Sequence, residues 1–154
     1  MTTTTLDTAR PTVDHAAAIS DARSPAPTSS KAARITGRVL TGLVTAFLLF
    51  DVSIKLVENE MVTKSAIELG YQPAVMFPIG LVLLACLVIH LIPRTAIIGA
   101  ILLTGYLGGA IATHVRVGNP LASHTLFPTY VAAFIWLGLY LRDPRTRALF
   151  AGRR

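Results

Sequence analysis

Asp51 and Lys55 are the one carboxylic acid and the one amine inside the long apolar runs of this 154-residue chain. Their spacing of four puts both side chains on one face of a helix. At 1.5 Å per residue, Asp51 lies about 18 Å beyond Val39, past the middle of a hydrocarbon core about 30 Å thick. A charge at that depth costs a few kcal/mol unless it pairs or reaches water. Two readings follow: a pair that handles protons or binds a ligand, and a pair that locks the helix while Lys55 extends its ammonium to the interface. The segments THVRVGNP and LASHTLFP set His114, Arg116 and His124 at the same level. Together with Glu58 they are expected to surround one outward-opening polar cavity, in which His114 or Asp51 exchanges a proton and Arg116 holds an anionic or carbonyl group. Tyr106, about 100° around its helix from Gly105, offers a hydroxyl to a further neighbour and completes the candidate set. The plainer alternative makes Gly118, Asn119 and Pro120 a turn whose basic neighbours sit at the membrane interface.

Other chemistries find no residues to carry them. A lone Cys86 closes no intramolecular disulfide and makes neither a redox pair nor a cysteine-rich zinc site. His114 and His124 flank a single loop rather than facing each other from two helices, and no haem-attachment motif occurs, so no metal site is expected. His90, at the other end of its segment, reads as a packing histidine. No nucleotide loop, serine triad or zinc helix is present. The formal charge of +6 does not point to nucleic acid, because no soluble domain remains to carry a basic face.

Four apolar segments must position the candidates: about Val39 to Val57, Pro73 to Ile92, Thr95 to about Thr113, and about Leu126 to Leu141. Each is close to the 20 or so residues that cross a bilayer as a helix. Only 14% of the chain is charged, and the second and third segments are apolar on every side, as lipid-bathed helices are. Pro78 and Pro128 fall near helix starts, where a missing amide donor costs least. The expected fold is all-α: a four-transmembrane-helix bundle over residues 35–149, preceded by a disordered tail over residues 1–34 and followed by a basic tail over residues 150–154. The tail has no apolar periodicity with which to bury a core and does not read as a cleaved secretory signal. The segment ENEMVTKSAIELGYQP, with Met61, Val62, Ala66, Ile67 and Leu69 among polar residues, is expected as a short surface helix or a solvated loop.

Nine basic residues, Lys31, Arg34, Arg38, Arg94, Arg142, Arg145, Arg147, Arg153 and Arg154, share one side of such a bundle, against Lys64 and Arg116 on the other. That asymmetry predicts both termini in the cytoplasm. Helices in lipid associate through small residues. In the third span Ala100, Thr104, Gly108 and Ala112 form one ridge and Gly105 with Gly109 an adjacent one, expected to pack inside the bundle or, alternatively, to form a homodimer seam.

Over about Ile35 to Leu149 the chain resembles the DoxX-like family of small four-helix bacterial membrane proteins. The stretches that carry the resemblance are LIPRTAIIGAILLTGYLGGAIATHVRVGNP and LFPTYVAAFIWLGLYLRDPRTRAL, with Lys55 near the outer end of the first span and Gly70 and Tyr71 before the second. One position departs: many relatives carry an acidic residue after a glycine early in the second span, where here Gly80 precedes Leu81, Val82, Leu83 and Leu84. The resemblance implies a polytopic protein of the bacterial cytoplasmic membrane. Distant namesakes in quinone-linked and oxidative-stress complexes imply a quinone as cofactor or a redox protein as partner. The functional expectation is a non-catalytic subunit or scaffold that binds a protein partner or small lipophilic ligand at the outer cavity. The alternatives are a quinone-linked oxidoreductase subunit, with Asp51 or His114 moving protons and Arg116 orienting the head group, and a small transporter, for which no internal repeat is present.

Overall fold

The computed structural model describes residues 30–57 and 60–151. Residues 1–29 of the expected tail, and Arg153 and Arg154, lie outside the described residues. Helix α1 (Lys31–Leu56) leads through α2 (Glu60–Glu68) and a single 3-10 turn at Pro73–Val75 into α3 (Met76–Leu91). Helix α4 (Ala96–Arg116) is followed by one π turn (Leu121–Thr125), α5 (Phe127–Arg142) and the short α6 (Pro144–Phe150). Four of these stretches are long and apolar enough to cross a membrane: Lys31–Leu56, Pro73–Leu91, Ala96–Arg116 and Leu121–Arg142.

Helix α1 packs on α3 and α5, and α4 packs on the same two, so chain neighbours are also spatial neighbours around a square bundle. Short connections impose this up-and-down order. The axis is filled by Leu48, Leu83, Leu87, Leu103, Ile135 and Leu139, all at most 1% exposed. Outward positions such as Leu43, Phe50, Val82, Ile98 and Ile101 are open, the inverse of a water-soluble bundle and the arrangement lipid requires.

Helix α1 begins eight residues before the expected apolar start, because Ser30 Oγ accepts from Ala33 N at 3.2 Å and caps it. Lys31 to Arg34 therefore belong to the first helix and not to the tail. Helix α2 realises the surface-helix expectation with a narrower apolar face: Val62 and Ala66 are buried against Met76, Tyr71 and Ile79, while Met61 and Ile67 remain exposed. Two helices end in the same way. Gly70, with φ +72°, closes α2 through Gly70 N to Ile67 O and Tyr71 N to Ala66 O. Gly118, also at φ +72°, closes α4 through Gly118 N to Val115 O and Asn119 N to His114 O. Both are Schellman ends, whose left-handed residue is nearly always glycine.

Close approach between helices uses other glycines than the expected ridges. A Cβ at Gly99 would overlap the His90 backbone, and one at Gly37 would lie 2.9 Å from both Gly138 O and Arg142 N. Within the chain, Gly105, Gly108 and Gly109 meet nothing within 4 Å. At these three glycines the structure departs from the internal-packing expectation for the third span. Ala100 is fully buried, but Thr104, Gly108 and Ala112 lie on an exposed face.

Candidate functional site

At the end of the bundle where α1 and α4 finish and α3 and α5 begin, the helices separate around a cavity of about 420 Å³. Its lower wall is apolar, with Leu48, Leu107 and Val131, and Ile79, Met76 and Phe127 line its flanks. Phe47 stands edge-on to Phe127, with ring centroids 5.4 Å apart, on the lipid-facing side. Gly105 and Gly109 also line the cavity and are themselves exposed, so the opening reaches the lipid-facing surface beside them.

A few polar groups share the cavity. Lys55 Nζ donates to Asp51 Oδ1 across one helical turn, an ion pair with both side chains half-buried. Both residues line the cavity, together with Tyr71, Tyr106, Thr113 and His114. Gly80 lets α3 approach this pair: its Cβ position is 3.0 Å from Lys55 Cβ and 3.2 Å from Leu56 Cδ2. Of the residues after Gly80, Leu83 is fully buried in the axis, while Leu81 and Val82 face outward. The position where the resemblance leads one to expect a carboxylate is thus apolar, and the acid lining the cavity is Asp51 on α1.

Hydrogen bonding fixes which groups remain free. The Tyr71 hydroxyl is 2.8 Å from Thr113 Oγ1. Asn119 Nδ2 contacts His114 Nδ1 at 2.8 Å, and an amide nitrogen can only donate, so the His114 ring accepts there and carries its proton on Nε2. Among the described residues the Tyr106 hydroxyl has no hydrogen-bond partner and Lys55 Nζ has only Asp51, which leaves two of its three protons for another acceptor. Three donors and one carboxylate therefore line a largely apolar cavity, a donor set suited to a carbonyl, hydroxyl or anionic head group on a greasy body.

The other expected site residues sit nearby with different work. Arg116 does hold a carbonyl, but it is the chain's own: Nη2 donates to Leu69 O at 2.7 Å, and Cζ lies 5.3 Å from the centre of the Tyr71 ring. It does not line the cavity. His124 is brought by the π turn to 6.0 Å from the His114 ring centre, with Nδ1 2.8 Å from Ser123 Oγ, on the rim outside the cavity. Glu58 lies outside the described residues. His90 is buried with Nδ1 3.0 Å from Ala96 O, and Cys86 is buried and free. Thr104 accepts from Trp136 Nε1 at 3.0 Å and donates to Ala100 O at 2.7 Å, tying α5 to α4. Among the described residues no three His, Cys, Asp or Glu side chains are grouped to hold a metal ion.

Tyr71, Thr113 and the Phe47–Phe127 pair were not candidates on sequence grounds. Tyr71 and Thr113 are separated by 42 positions, and only a fold brings such residues together.

A bundle of four helices long and apolar enough to cross a membrane, joined by short connections, defines a small multi-pass membrane protein. The model of the DoxX-like family matches residues 39–138, well over half of the chain, and the protein belongs to that family. The matched region ends within α5 and contains every residue that lines the cavity. No curated protein and no solved structure gives a match.

Proposed function

We propose that this protein is a non-catalytic subunit or scaffold of the bacterial cytoplasmic membrane that holds a small lipophilic ligand in the α1–α3–α4–α5 cavity, with the cavity opening outward and both termini in the cytoplasm. The observation that carries the reading is the cavity itself: about 420 Å³, lined mostly by apolar side chains with a few polar ones among them. Sites for small molecules share that size and that sparse polarity. The ligand enters sideways from the bilayer past Gly105 and Gly109 and places its polar head against Lys55, Tyr106 and His114. The test is purification in mild detergent followed by solvent extraction and mass spectrometry. One lipophilic species near stoichiometry in the native protein, and its loss from a Gly105→Leu variant that fills the cavity, is the expected result. Equal small-molecule content in the two proteins would sink the proposal.

A second reading, a quinone-linked oxidoreductase subunit, is favoured by the free donors at the mouth. Lys55 and His114 Nε2–H suit the carbonyl oxygens of a quinone, and the apolar lower wall suits its ring and tail. A bound quinone would supply two-electron chemistry. The chain's own residues would orient the head group and carry a proton at the Asp51 carboxylate or at His114 Nε2, and electrons would have to come from a partner protein. Quinone absorbance in the extract that bleaches on reduction distinguishes this reading from a redox-inert ligand.

A further inference from the structure

The end of the bundle away from the cavity carries a pocket of about 550 Å³ lined by four arginines: Arg38 on α1, Arg94 in the α3–α4 turn, Arg142 at the end of α5 and Arg145 on α6. One acid, Asp143, shares it, and its Oδ1 is already engaged as the cap of α6, accepting from Arg145 N at 2.9 Å. Among the described residues none of the four guanidinium groups takes part in an ion pair. Arg142 Nη2 is buried with no hydrogen-bond partner, and so is the Oγ1 of neighbouring Thr146, a residue with no exposed surface. A buried unpaired donor is costly, and an anion in the pocket would offset the charge of the guanidinium that carries it. Ala96, the first residue of α4, also lines the pocket. No side chain caps that helix, the Thr95 hydroxyl donating instead to Ile89 O at 2.8 Å, so the positive end of the α4 dipole faces the same space.

We infer that this pocket binds a phosphate group. Four planar donor forks around a single carboxylate leave a surplus of positive charge and N–H donors that suits the several oxygens of a phosphate. The pocket lies where three membrane-crossing helices reach the head-group level, so the phosphate of an anionic phospholipid is delivered there by the bilayer itself. A phosphorylated solute offers the same chemistry from the aqueous side. The inference does not depend on what fills the cavity at the opposite end.

Full-length protein in mild detergent, titrated with phosphatidylglycerol, phosphatidylcholine or inorganic phosphate while its thermal unfolding is followed, tests this. The probe variant is Arg38→Gln/Arg94→Gln, because both side chains are exposed and, among the described residues, make no ion pair, so their loss leaves the core intact. The control, Lys31→Gln/Lys64→Gln, removes the same charge outside the pocket. Phosphatidylglycerol should bind at least about tenfold more tightly than phosphatidylcholine, with about fivefold lost per arginine removed and little lost in the control. Inorganic phosphate matching the phosphatidylglycerol shift would keep the phosphate site and assign its ligand to the solute. Equal affinity for the two lipids with no effect of phosphate, or equal losses in probe and control variants, would overturn the inference.

Discussion

The Tyr71 hydroxyl donates its hydrogen bond to Thr113 Oγ1, 2.8 Å away. The direction follows from Thr113, whose one hydroxyl proton is given to Gly109 O at 3.0 Å, leaving its oxygen to accept. Arg116 stands over the ring of the same residue, with Cζ 5.3 Å from its centre, and donates to Leu69 O. A single side chain thus ties the segment after α2 to the end of α4 and forms one side of the cavity mouth.

Replacing Tyr71 by Phe keeps the Arg116 stack and removes the hydroxyl. The expected loss is about 1 kcal/mol, as for a typical intramolecular hydrogen bond. Thr113→Val should cost a similar amount, and the double variant little more than either single one, because both delete the same bond. Unfolding in detergent micelles measures all three. Fully additive losses would show that the two residues act separately.

The Asp51–Lys55 pair makes a sharper prediction. Asp51→Ala strands an ammonium below the interface, so it should destabilise by about 1–3 kcal/mol. Asp51→Asn/Lys55→Gln removes both charges together and should be nearer the native stability. A double variant no better folded than Asp51→Ala would break the pairing argument.

Glycines on one helix should respond in opposite senses. Gly99→Ala forces a methyl into the His90 backbone and is expected to cost about 1–3 kcal/mol, in the range of core overpacking. Gly105→Ala meets nothing within 4 Å and should gain about 0.5–1 kcal/mol from helix propensity. Thermal unfolding of the two variants side by side is decisive. A loss at Gly105 comparable to that at Gly99 would mean that something outside this chain, the bound ligand or a second copy, covers the α4 face.

Those glycines also mark how far the sequence could be read. Span number and order were legible because hydrophobic runs of bilayer length leave no other way to satisfy the backbone. The Asp51–Lys55 pair was legible from its spacing on one helix, and the turn at Gly118 from its residue types. Which small residues form interfaces was not, because Gly99 and Gly105 differ in helical phase by six residues and only the neighbouring helices decide which of them faces protein. Arg116 was misassigned for a similar reason: its partner, Leu69 O, lies in a separate segment 47 positions away. The π turn at Leu121–Thr125, which sets His124 beside His114, follows from closure of the α4–α5 connection and has no signal in its residue types.

Orientation is open to a direct experiment that leaves every charge in place. In a Cys86→Ala background, Thr63→Cys on α2 and Ala151→Cys after α6 put exposed thiols at opposite ends of the bundle. Three membrane-crossing helices separate them, so a membrane-impermeant maleimide must reach one and not the other from outside the cell. The excess of Arg and Lys at the α6 end selects Thr63→Cys as the reactive one, with Ala151→Cys modified only after permeabilisation. The reverse pattern would keep the bundle but turn it over, moving the cavity to the cytoplasmic face and removing the outward-opening reading. Labelling of both thiols from outside would contradict an odd number of crossings between them, and with it the four-span architecture.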